Sequence, residues 1–314
     1  RRVLQASWPY IGVAPKNVSG VMQAFLVAGQ HYEQTYYPIG SSQKVADAMS
    51  DSIKEHGGDV LLNTEVKKIL VKNNSAYGIE LPDGKKVTAD VVVSNADARL
   101  TYNQLIGADL VPKKFMNKLN KMKPSLGPFK VLIGLDIDVA EHGMDHHEYM
   151  FFDSLDHEVN YTKMATRCEP CIISAYSPTK VDPSLAPKGH STVIMTIMVD
   201  WKPSQRDWRT HRDEIAEEML DQLEKRVPNI REHIKEKQIF TPQNLKDFSG
   251  STDGAMYGWA CDIDQVLIKR LSQKSAIKNL YHVGHWSEPG PGVTVAVISG
   301  WILGNQLKKS YNWS

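Results

Sequence analysis

The segment that most constrains this chain lies near its end: Asn279-Leu280-Tyr281-His282-Val283-Gly284-His285-Trp286-Ser287-Glu288-Pro289-Gly290-Pro291-Gly292-Val293-Thr294-Val295-Ala296-Val297-Ile298-Ser299-Gly300. A short apolar strand runs into a glycine- and proline-rich loop, and a helix of small and β-branched residues follows. A helix amino terminus carries unpaired N–H groups and the positive end of the helix dipole. It can therefore hold a phosphate or a developing negative charge. Gly290 and Gly292 allow the backbone close to a ligand, where a side chain would block approach. The same pattern also suits a glycine-rich turn with no ligand, and both readings stand on pattern alone.

Further upstream the chain changes style twice. The pattern predicts a helix near 19–30, read as a plain buried helix, and a second at 43–56. Ser42 caps the second, Val45, Ala46, Met49 and Ile53 share one face, and Gly57-Gly58 end it. Strands are expected at Asp59–Leu62, Val66–Val71, Ala76–Leu81 and Lys85–Thr88, with a hairpin turn at Pro82-Asp83-Gly84. The run Asp90–Ser94 is almost continuously apolar, as in a parallel strand buried on both faces. From 97 to 275 the pattern is α+β, with strands at 129–137, 148–153, 171–176 and 192–199 and an amphipathic helix at 211–227. Strand Asn279–Val283 and helix 293–308 complete the chain.

Composition narrows the function classes. With Lys+Arg 37 against Asp+Glu 36 in 314 residues, no basic excess points to nucleic acid. Three cysteines, Cys168, Cys171 and Cys261, are too few for a secreted disulfide framework and suit a reducing, cytoplasmic compartment. No run approaches the roughly 18 apolar residues of a membrane span. Cys168-Glu169-Pro170-Cys171 lacks the strand-before, helix-after context of a redox motif. With His142, His146, His147 and His157 nearby a metal site is conceivable, but two ordinary cysteines beside a turn is the favoured reading, and no metal is expected. Asp253 and Glu288 read as caps or surface charges, and Trp201, Trp208 and Trp286 as core or cavity lining.

Five segments in order resemble the phytoene desaturase, carotenoid isomerase and retinol saturase group. Tyr36-Tyr37-Pro38-Ile39-Gly40-Ser41 is similar to its Tyr-Pro-x-Gly-Gly turn, with Ser41 for the second glycine. Gly57-Gly58 followed by Val66-Lys67-Lys68-Ile69, Asp90–Asp97, Gly254-Ala255-Met256-Tyr257-Gly258 and Asn279–Gly300 supply the rest. The resemblance implies an α/β FAD-binding domain, glutathione-reductase-like and of the amine-oxidase type. It would be incomplete, with an inserted α+β antiparallel-sheet substrate domain. The implied division is a helical segment of the substrate domain over 1–40, flavin domain over 41–97 and 276–314, and substrate domain over 98–275.

The resemblance also implies FAD and its contacts. Val66 would face the adenine, Asn95 and Ala96 the cofactor at a strand end, and Gly284 and His285 the pyrophosphate and ribityl chain. Gly292, Val293 and Thr294 would meet the flavin ring, and Met256 and Tyr257 the ring and substrate. His285 departs from the small residue usual there. The implied activity is desaturation, saturation or isomerisation of a lipophilic polyene or isoprenoid, with no side chain named as catalytic. Peripheral membrane contact would accompany such substrates. Amine oxidation on the same fold, or a non-catalytic escort role, are the alternatives. The family's G-x-G-x-x-G unit does not occur, so a missing N-terminal segment or a partner chain would have to supply it for FAD to bind.

Overall fold

The computed structural model describes residues 5–33 and 36–311. In chain order the helices are α1 (Gly20–Ala28), α2 (Gln43–Glu55), α3 (Ala98–Leu100, continued by a π-helical stretch over Thr101–Gly107), α4 (Lys113–Lys121), α5 (His157–Arg167), α6 (Arg212–Glu224), α7 (Pro242–Ser249) and α8 (Val293–Tyr311). The strands are β1 (Lys68–Lys72), β2 (Ser75–Glu80), β3 (Lys86–Thr88), β4 (Val92–Ser94), β5 (Gly127–Leu135), β6 (Glu148–Phe152), β7 (Ile172–Tyr176), β8 (Ser191–Val199), β9 (Ile234–Phe240) and β10 (Leu280–His282). The chain forms two compact units, Arg1–Leu62 with Gly127–Pro242 and Asn63–Leu126 with Gln243–Ser314. These boundaries fall at 62, 126 and 242, whereas the sequence suggested 40, 97 and 275.

The first unit is built on a five-stranded antiparallel sheet in the order β6-β7-β8-β5-β9. Period-two alternation sorts its side chains into two faces. Val131, Ile133, Val193 and Met195 are fully buried on one face, which receives α5 and α6. Helix α6 turns Ile215, Met219, Leu220 and Leu223 inward, at the spacing of one helical stripe. Asp156 caps α5 by accepting from the Val159 N–H. Strand β9 has no counterpart in the sequence reading, because Lys235, Glu236 and Lys237 hide its alternation; charge of this kind protects an edge strand from further pairing.

Three expectations in this unit fail. Helix α1 is not buried: none of its residues is, and Phe25 is 68% exposed. Ser42 makes no side-chain cap on α2, a helix whose Met49 and Ile53 are exposed. Residues 59–62 form no strand.

In the second unit β1, β2 and β3 form an antiparallel meander. Strand β4 pairs in parallel with β10, Val92 opposite Leu280. The continuous apolar run at 90–94 is not buried on both faces as expected. Val93 is 45% exposed, so the face of β4 that it lies on is left partly uncovered. Tyr102, Leu119, Trp259, Ile277, Leu280 and Trp286 make the core beneath this ladder.

Candidate flavin-facing site

The parallel ladder places two chain turns side by side. Beyond β4 the chain bends at Asn95 and Ala96, and beyond β10 it turns at Gly284 with φ +80°. A Cβ on Gly284 would lie 2.0 Å from the Asn95 Oδ1, so the two turns meet only because position 284 is glycine. The Gly284 N–H donates to the Ser299 Oγ at 3.1 Å. Gln273 Nε2 in turn donates to the carbonyl and hydroxyl oxygens of Ser299, at 2.7 and 2.9 Å. The loop is thereby tied to the interior of α8.

A second tie is a buried cation. The guanidinium of Arg270, 1% exposed, donates to the carbonyls of Tyr257 (3.0 Å), Trp259 (2.8 Å) and His285 (2.7 Å). No carboxylate pairs with it among the described residues. Burial accordingly pulls its affinity for the proton down, a pull that the adjacent Cys261 opposes. Beside this clamp Gly258, with φ +65°, lies against His285; a Cβ there would stand 2.7 Å from the His285 carbonyl oxygen. Burial, and then the charge of Arg270, push the His285 imidazole down to about 4. It is therefore neutral at physiological pH. His282, on β10, is pushed down to about 4 by burial, and neither ring nitrogen has a partner among the described residues.

The loop ends at Gly290 (φ +140°) and Gly292 (φ +109°), and α8 begins at Val293. Gly292, Val293 and Thr294 are all exposed, and no acidic residue lies in the first turn. The positive end of a 19-residue helix is thus open to a ligand. Arg270 lies behind the same loop, its Nε 3.9 Å from where a Gly290 Cβ would be.

Met256 and Tyr257, both half-buried, are held by backbone bonds to Leu126 O (3.1 Å) and Ser125 Oγ (2.9 Å). Buried Asp97 joins that segment to the end of β4: it caps α3 and accepts the Thr252 N–H at 2.6 Å. Asn95, Gly284, His285 and Tyr257 are therefore connected through short contacts, and Gly292 to Thr294 close the same loop. Val66 stands apart. It is half-buried at the entrance to β1, in the antiparallel meander and not in the parallel ladder. Asp253 lies in a left-handed turn, and Glu288 accepts from the Gln273 N–H at 3.4 Å.

Three residues that organise the site, Arg270, Gln273 and Ser299, carry no individual sequence signal. A lone arginine reads as surface charge, and only contact with three carbonyls distinguishes it. In the first unit the C-x-x-C sits between α5 and β7, helix first and strand second. Cys168 Sγ and Cys171 Sγ each point at a backbone carbonyl, of Arg206 and Asn160. Burial pushes these thiols up to about 12 and about 11, so neither is a thiolate. No group of three or more His, Cys, Asp or Glu is placed to hold a metal ion among the described residues.

The residues present fit the ring end of a flavin: an open helix terminus at 292–294, and a cation behind the loop that leads to it. The G-x-G-x-x-G that grips the pyrophosphate of a dinucleotide is not among the 314 residues.

Comparison with known proteins agrees with this flavoprotein architecture. A structure of an oxidoreductase from Methanosarcina mazei superposes with a TM-score of 0.69 at 18% identity, over 97% of this chain and 64% of the other. The chain belongs to the flavin-containing amine oxidoreductase family, whose pattern matches residues 19–302. Its relatives include a neurosporene-forming phytoene desaturase of Rhodobacter capsulatus, 32% identical over 280 residues (87% of this chain, 53% of the relative). They also include the chloroplastic prolycopene isomerase of Daucus carota, 28% identical over 292 residues (90% and 46%). The chain thus spans about half the length of these relatives.

Proposed function

We propose that this chain forms the flavin-facing and substrate-binding part of an FAD-dependent oxidoreductase. It would act on carbon–carbon bonds of a lipophilic polyene or isoprenoid, by desaturation, saturation or isomerisation. The observation that carries the reading is the open amino end of α8 beside an uncompensated buried cation. Together they form a place for a planar group that gains negative charge on reduction. When bound, the flavin supplies hydride exchange at its N5.

The chain's own residues do the rest. Gly292, Val293 and Thr294 would present backbone N–H groups to the flavin ring. Asn95, Ala96, Gly284 and His285 would line the ribityl and pyrophosphate side, with His285 held neutral and its carbonyl fixed by Arg270. Met256 and Tyr257 orient the substrate and exclude water from the reacting bond. Val66 would lie toward the adenine. The pyrophosphate grip has to come from a further N-terminal segment or a partner chain. Helix α1 offers Val21 and Phe25 to a lipid surface from which an apolar substrate is drawn. No helix among the described residues is long and apolar enough to cross a membrane. Three free, buried cysteines suit a reducing, cytoplasmic setting.

The test is made on the full-length protein from its source. Its visible spectrum is recorded, and it is then incubated anaerobically with carotenes and retinoids and the products are separated. A flavin spectrum bleached by a polyene, with a change in its number or geometry of double bonds, supports the reading. A protein that holds no flavin after FAD is added refutes it. Peroxide released with amines would assign it to amine oxidation instead.

A further inference from the structure

The sheet of the first unit has a second face, opposite α5 and α6, that is only half-buried. One row of side chains crosses it from strand to strand: Met150, Ser174, Thr196, Lys130 and Phe240. All five are half-buried. The neighbouring row includes Ile194 and Leu132, so the surroundings of Lys130 are largely apolar. An ammonium group in such a place is costly unless it is paired. Among the described residues Lys130 makes no side-chain hydrogen bond and no ion pair. Burial lowers its affinity for the proton, as expected of a cation held without a counter-charge.

The two acids that the strands carry on this face do not neutralise it. Glu148 is three strands away, about 14 Å by strand spacing, and accepts from the Ser174 hydroxyl at 2.7 Å. Glu236, opposite Gly134, is four residues along the strand from Lys130's own partner Phe240, again about 14 Å. Thr196, by contrast, is the direct cross-strand neighbour of Lys130, with its Cβ about 5 Å away. A wall meant only for hydrocarbon has no use for a cation and a hydroxyl side by side. A ligand with an apolar body and an anionic end would bury the first and pair with the second.

We propose that this face binds an apolar chain ending in a carboxylate, held by Lys130 and Thr196. The substrate class is then a polyenoic acid and not an unfunctionalised polyene hydrocarbon. This inference rests on the oxidoreductase reading for its chemistry, but the binding can be measured without turnover. A conjugated C20 polyenoic acid and its corresponding alcohol are titrated into the full-length protein, and quenching of tryptophan emission is followed. The acid should bind about tenfold to a hundredfold more tightly than the alcohol, the range of a charge-assisted hydrogen bond. Lys130→Met should bring the acid to the level of the alcohol and leave alcohol binding unchanged, while Lys130→Arg keeps most of the preference. Thr196→Val should lose a smaller part. Melting curves guard against misfolding, and the methionine variant should melt no lower than the parent, since it removes a half-buried charge that has no partner among the described residues. Equal binding of acid and alcohol, or a preference that survives in the methionine variant, overturns the inference. A hydrocarbon carotene turned over with flavin reduction, alongside equal binding, would sink this inference alone. An acid preference in a protein without flavin would sink only the oxidoreductase reading.

Discussion

Replacing Arg270 with methionine keeps an apolar stem in the same space and deletes every donor. Three carbonyls, of Tyr257, Trp259 and His285, lose bonds of 3.0, 2.8 and 2.7 Å. A buried acceptor left bare costs about 1–3 kcal/mol, so three amount to about 3–9 kcal/mol. Removing a guanidinium that has no carboxylate partner offsets part of this through its own desolvation. The net loss should be about 3–5 kcal/mol, near that of breaking a buried ion pair. In melting temperature this is roughly 10 °C or more for a unit of this size. Urea unfolding followed by tryptophan emission suits the measurement, because Trp259 and Trp286 pack edge to face at 4.8 Å beside the clamp. Lysine at 270 should recover at most about half of the loss, since all three carbonyls meet the one nitrogen Nη2 and the lysine ammonium sits one bond short of that position. A loss below about 1 kcal/mol in Arg270→Met, or full recovery with lysine, would show that the carbonyls find other donors and that the clamp does not set the loop.

Gly258→Ala should cost about 2–5 kcal/mol in the same assay, from a left-handed φ of +65° and a Cβ 2.7 Å from an oxygen that Arg270 holds in place; a neutral result means the loop shifts freely. His282 and His285 both titrate near 4 when folded and near 6.5 when unfolded, so their contribution is whole above pH 6.5 and is lost as pH falls toward 4, by about 3 kcal/mol each. Unfolding midpoints at pH 7.5 and pH 5 test this: His282→Leu should shrink the difference by about half and leave stability at pH 7.5 equal or higher, and an unchanged difference counts against a buried neutral imidazole. Phe25→Glu should weaken co-sedimentation of the full-length protein with lipid vesicles about tenfold, as one buried aromatic side chain is worth about 1.5–3 kcal/mol; binding equal to the parent removes α1 from the membrane contact.

Much of the architecture was legible in the residues. The pattern located β5, β6, β7 and β8 within two residues, together with the Pro82-Asp83-Gly84 turn and the strand–loop–helix that ends in α8. Those segments carry strong local signals: period-two alternation, a turn that needs glycine, and a small-residue helix after a breaker. Strand β9 and helix α5 were not legible, since charge and polarity along them mask any apolar period. The burial of α1 was misjudged for the opposite reason, and the apolar face of α2 is open as well. Their apolar faces are real, but an apolar stripe states only that a surface can be covered, not that this chain covers it.

The same division runs through the site. Local sequence determined that Gly284, Gly290 and Gly292 take conformations with positive φ and that α8 starts at Val293, because backbone sterics act between neighbours in the chain. Tertiary structure alone decided that Asn95 lies over Gly284, and that Arg270 reaches three carbonyls from as far as 15 residues away. It also decided that Lys130 stands unpaired on a half-open sheet face. Each of these depends on which distant segments the β4–β10 ladder and the β8–β5 pairing bring together. Such pairing is fixed by the packing of whole faces and not by any residue's own preference.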